Sequence, residues 1–111
     1  MFAVFEGRVM SGYVLKAAAA PLTYLMDWRR GHLAPGERVM RDLGWSVQPD
    51  EPAGAGLVVA EQAHDASRSW AAFEGGAPGC VYMVTNRVRT SDERVLARAI
   101  VVRIAMGVGP Q

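Results

Sequence analysis

The chain has 111 residues, half of them hydrophobic, which makes one domain with enough apolar mass for a core. The formal net charge of +1 gives no electrostatic case for nucleic acid or an anionic membrane as partner. The single cysteine, Cys80, excludes an internal disulfide, and no run approaches the roughly 18 apolar residues of a membrane helix.

In chain order, the first segment, residues 1–20, stands apart as an arm or added strand. "FAVFEGRVMSGYVL" mixes aromatic and β-branched residues with Gly7 and Gly12, which weaken an independent strand. Glu6, Arg8 and Lys16 interrupt its apolar stretch, and no basic region precedes it, so it does not read as a signal peptide. "KAAAAP" favours a helical turn that Pro21 stops.

Residues 21–106 form the second unit. "PLTYLMDWRRG" fits either a helix, with Leu22, Leu25 and Met26 as a stripe, or a strand with Leu22, Tyr24, Met26 and Trp28 on one side. "LAPG" is a turn. "ERVMRDLGWSVQP" is a strand with Val39, Arg41, Leu43, Trp45 and Val47 on one face, and Gly44 marks a bulge or bend. "PDEPAGAG" is a loop, "LVVAEQA" and "SRSWAAFEGG" are strands, and "GGAPG" is a further turn.

Val81–Ala105 is the most regular stretch. Tyr82, Val84 and Val88 share one face of a first strand, and Ile100, Val102 and Ile104 share one face of a second. The opposite phases carry Met83, Thr85, Arg87 and Arg89, and Ala99, Val101 and Arg103. "TSDER" makes the turn between them. "GVGPQ", residues 107–111, is a short tail. Strands at short, even spacing with turn signals between them predict an all-β sandwich or barrel.

No catalytic set is visible. His32, His64 and Cys80 lie far apart in sequence without metal-ligand spacing, so no metal is expected. "HDAS", His64–Ser67, holds the residue types of a hydrolase triad, but neighbours in one loop do not adopt triad geometry. "GGAPG" is too short for a phosphate loop. No cofactor and no enzyme activity are expected. Trp28, Trp45 and Trp70 are read as core or interface anchors, with sugar stacking as the alternative use.

Ser69–Ile104 resembles a family of small tailed-phage virion proteins, the phage fiber–tail adaptors. The elements that carry the likeness are Trp70, the pair Gly75–Gly76, then Tyr82, Val84, Thr85, Asn86 and Arg87, the turn Thr90–Arg94, and Arg98–Ile104. "LTYLMDW" and "LAPGERV" extend it upstream to Leu22. Glu93 departs from it, standing where the family has a glycine, and residues 1–20 have no counterpart. The resemblance implies an immunoglobulin-like antiparallel β sandwich with an N-terminal arm, and it decides "LTYLMDW" in favour of strand. It also implies a structural virion protein assembled in the host cytoplasm. Its partners would be other copies of itself in a ring and neck, tail or fibre proteins, with no nucleic acid and no membrane. A capsid decoration or head–tail connector protein is the runner-up, and a carbohydrate-binding module is the rival of another class. Phe2, Phe5, Tyr13, Arg87, Arg89 and Arg103 are the candidate interface residues. The arm is expected to reach a neighbouring copy or another virion protein, against the alternative of an extra strand on its own domain.

Overall fold

Apolar residues at every second position build strands, and a computed structural model shows eight of them among the residues it describes. It describes residues 4–5, 8–49 and 56–106. The strands are β1 (Val4–Phe5), β2 (Arg8–Lys16), β3 (Leu22–Asp27), β4 (Val39–Gln48), β5 (Leu57–His64), β6 (Arg68–Gly75), β7 (Val81–Thr90) and β8 (Val95–Ile104). They form two sheets, in the orders β1-β2-β8-β7-β4 and β3-β6-β5. With β3 to β8 read as strands B to G, the sheets are B-E-D and C-F-G. That order is compatible with an immunoglobulin-like sandwich.

The β7–β8 hairpin supplies the larger sheet's inner face. Tyr82, Val84, Val88, Ile100, Val102 and Ile104 are all fully buried, the register expected from their spacing. Met26, Trp28, Ala71 and Phe73 meet them from the side of the smaller sheet. "LTYLMDW" is indeed strand, with Met26 buried and Leu22 and Tyr24 packed on the core. Burying each large apolar side chain contributes about 1.5–3 kcal/mol.

Several polar groups inside the sandwich are joined in a chain, while Asp42 Oδ2 and the Trp45 indole N–H are buried without a hydrogen-bond partner among the described residues. The Trp28 indole N–H donates to Ser69 Oγ at 2.9 Å, and the Ser69 hydroxyl donates to Asn86 Oδ1. Asn86 Nδ2 then donates to Asp42 Oδ1 (2.9 Å) and the Gly44 carbonyl (3.0 Å). This chain crosses from one sheet to the other, and it gives each of its own donors a partner. Arg98 also faces inward. Its guanidinium lies 5.2 Å from the centre of the Trp28 ring and donates to the Asp27 carbonyl at 2.5 Å, so a cation occupies a core-facing position.

Three expectations need correction. The single face proposed for Val39, Arg41, Leu43, Trp45 and Val47 does not exist. Register shifts at Val39/Arg41 and Asp42/Gly44 break the alternation twice. Val39, Trp45 and Val47 pack on the core, whereas Arg41 and Leu43 are exposed. Gly44, with φ 117, is the bulge that the sequence suggested. The arm is likewise not free over residues 8–16. It is β2, paired parallel to β8 from Val9↔Arg98 to Lys16↔Ile104, so the alternative of a strand on its own sheet holds there and one ladder is not antiparallel. "KAAAAP" makes a tight turn, closed by Ala20 N–H to the Ala17 carbonyl, and not a helical one. The expected loop and tail at residues 50–55 and 107–111 lie outside the described residues.

Candidate interaction surface

Alternation that sends one set of residues inward sends the other set out. On the outer face of the five-stranded sheet, cross-strand pairing arranges these residues in rows. Leu15, Arg103 and Val81 form the first row, and Tyr13, Val101, Met83 and Gln48 the next. Ala99, Thr85 and Ser46 cross the middle, the first two buried, followed by Ala97, Arg87 and Gly44. Val95, Arg89 and Arg41 close the face. One half is therefore apolar with a single arginine, the other half is cationic, and small side chains lie between.

The apolar half is open. Tyr13 and Leu15 are each 62% exposed, and Val81 is 51% exposed. Apolar side chains grouped this way on a small domain mark contact surfaces more often than chance. In the cationic half, Arg41, Arg87 and Arg89 are all exposed. No acidic residue sits in any of the five rows. Arg89 has only a loose contact with Glu93 at 3.9 Å, from the hairpin turn. Arg41, Arg87 and Arg103 have no ion pair among the described residues. Beside them Leu43, Gly44, Trp45, Ser46, Thr85 and Arg87 line a shallow concavity of about 370 Å³. A planar guanidinium with free donors suits a carboxylate, which it binds in pairs of hydrogen bonds.

The structure thus brings four of the six candidate interface residues, Tyr13, Arg87, Arg89 and Arg103, onto one face. Phe5 lies in β1, at the sheet's far edge, and its side chain is outside what is described, as is all of Phe2. Sequence reasoning missed Leu15, Val81 and Arg41. Leu15 repeats the phase of Tyr13 two residues on, and Val81 repeats that of Met83, so alternation alone could have found both. Alternation places Arg41 on the same face as Val39, Trp45 and Val47, and the register shifts that separate it from them are not visible in that pattern.

Other flagged residues have structural places. His32 packs edge-on against Trp28 at 5.9 Å, and burial lowers its pKa. His64 ends β5, exposed, and Cys80 is half-buried against the core. No group of three or more His, Cys, Asp or Glu side chains gathers for a metal among the described residues. Trp28 is fully buried, and Trp45 packs edge-on against Phe73 at 5.5 Å. Only Trp70, opposite Leu25 and Ala63 on the outer face of the smaller sheet, is placed as a surface platform.

The fold and this face together define a small all-β sandwich module whose developed surface is a sheet face. The family model "Podophage GP4 fiber-tail adaptor protein gp77" matches residues 16–103, most of the chain. The protein belongs to this family of phage fiber–tail adaptors, and membership implies a virion component that meets tail and fibre proteins. No curated protein matches the chain.

The motif that carried the resemblance now has physical content. Tyr82 fills the core, and its hydroxyl accepts from the Ala77 N–H at 3.0 Å, closing the turn before β7. Asn86 joins the two sheets, and Arg87 projects to the outer face. Glu93, at the family's glycine position, keeps the backbone a glycine favours, with φ 63.

Proposed function

We propose that this protein acts without catalysis as an adaptor in the neck or tail of a phage or phage-derived particle, in several copies arranged as a ring. Its role is to present surfaces that fibre or tail proteins grip. The observation that carries the reading is the outer face of the five-stranded sheet, where exposed arginines adjoin exposed Tyr13 and Leu15. Arginine and aromatic residues are the types enriched in protein contacts. The match over residues 16–103 supports the same reading.

The test is a triple variant, Arg87→Glu, Arg89→Glu and Arg103→Glu, expressed during particle assembly. Because these side chains are exposed, circular dichroism of the isolated variant should match the wild type, while its incorporation into purified particles falls sharply. Normal incorporation of the folded variant would remove this face from the assembly. Recovery of the wild type with capsid shells and not with tails would favour decoration over tail attachment.

A further inference from the structure

The molecule has a second outer face, and its character is opposite. On the three-stranded sheet, pairing sets Val58 beside Glu74, Glu61 beside Ala72 and Thr23, and Ala63 and Leu25 beside Trp70. Leu25 and Val58 are 46% and 48% exposed. Asp27 is neutralised by Arg29 at 2.7 Å, and Arg68 by Asp65 at 2.7 Å. Glu61 and Glu74 are exposed and have no ion pair among the described residues. The small overall charge of +1 therefore conceals a segregation, with exposed arginines on one side of the sandwich and the exposed carboxylates of Glu61 and Glu74 on the other.

We infer that the two outer faces are the two halves of one contact between copies, the arginine face of each docking on the Trp70 face of the next. This rests on the multi-copy adaptor reading and names the surfaces that reading leaves open. Charge complementarity selects the occupant. Two arginine faces set against each other would oppose like charges, as would two Glu61–Glu74 faces, so a two-fold pair through either face is disfavoured. Arginine against carboxylate satisfies both. Trp70, Leu25 and Val58 offer apolar area to Tyr13, Leu15 and Val81, and the alanines around Trp70 let the surfaces approach. Because one copy uses both faces, the contact is heterologous, which generates a ring when the rotation closes.

The experiment is sedimentation velocity on the full chain and two variants, with circular dichroism as a check of folding. One variant carries Arg87→Glu and Arg89→Glu, and the other carries Glu61→Arg and Glu74→Arg. The wild type should self-associate, less so at high salt. Each variant alone should associate at least roughly a hundredfold more weakly, since like charges then face each other. An equal mixture of the two should associate again, because the acidic face of one now fits the basic face of the other. A mixture that stays monomeric, variants that self-associate as well as the wild type, or a wild type monomeric at every soluble concentration would each overturn the contact. If the wild type is monomeric yet still enters particles through its arginine face, this inference falls and the adaptor reading stands.

Discussion

The two ends of the sandwich are closed by different chemistry. At one end the Thr90–Arg94 turn is tied to the loop between β3 and β4 through Glu37. That carboxylate is shielded from solvent and receives Arg94 through Nη2 at 2.5 Å and Nε at 2.9 Å. It also accepts from the Ala34 N–H at 2.8 Å and from the Thr90 hydroxyl. At the other end, where β2 and β6 terminate, Lys16 is 2% exposed and has no ion pair among the described residues. Its ammonium donates to the carbonyls of Gly75 (2.7 Å), Ala17 (3.0 Å) and Ala18 (3.3 Å). The first end holds a matched pair of charges. The second holds one charge among neutral dipoles and relies on close packing around Gly76. The difference teaches that the same kind of closure, chain ends pinned by one long side chain, can be given opposite sensitivities.

The largest expected effect breaks the tightly packed end. Gly76 has φ 99, and a Cβ there would lie 2.6 Å from Ile104 Cδ1, in the core. Gly76→Ala should therefore cost about 3 kcal/mol through backbone strain and overpacking together. Urea unfolding measures it, and a loss below about 1 kcal/mol would show that Ile104 yields easily.

The next effect is on pH, and the two ends should respond in opposite regions. Hydrogen bonds from Arg94, then from the Ala34 N–H and Thr90, hold Glu37 at about 2, against an ordinary value of 4.5. A depressed carboxylate contributes stability that is complete above its unfolded pKa, and that contribution is lost as pH falls from 4.5 through about 2. Glu37→Gln should lower stability at neutral pH and flatten the acid limb. A slope should remain, because Asp27 and Asp65 are also held at about 2, chiefly by Arg29 and Arg68. Burial lowers the Lys16 pKa, with Glu74 opposing. The folded state then gives up that proton before the unfolded chain does, so stability gains as pH rises toward 10.5. Lys16→Met should abolish that alkaline gain and leave the acid limb unchanged. Thermal melts across pH decide both, and identical profiles for the two variants would erase the contrast.

The smallest effect sharpens the first end. Glu93 sits at φ 63, and a glycine there avoids the clash of Cβ with backbone. Glu93→Gly should raise stability by up to about 1 kcal/mol, the entropy of a freer unfolded chain offsetting part of the relief. A loss of melting temperature would mean that the contact with Arg89 at 3.9 Å matters more than the backbone.

Alternation made the core legible in advance. Tyr82, Val84, Val88, Ile100, Val102 and Ile104 had only to follow a period of two, and long strands give that signal clearly. It failed where the period itself breaks, as in β4, because Gly44 announces a bulge without saying which neighbours change sides. Arg98 was hidden for another reason. A charged residue in a core phase is acceptable only once the Trp28 ring and the Asp27 carbonyl are in place, and both come from distant sequence. The surface was half legible: the hairpin arginines were readable, but their meeting with Tyr13 required knowing that β2 joins β8.

That last pairing also sets an order of events. Val9 finds its partner in Arg98 and Lys16 in Ile104, so beyond its short ladder with β1, β2 has nothing to pair with until β8 exists. Contacts so distant along a chain are slow to form, because the loop between them must close first. On a ribosome, β2 is made before β8 and waits through the synthesis of β3 to β7. During that interval the edge that β2 will give to β8 is open to other chains. Until that ladder closes, sibling copies in close proximity can exchange β2 between them.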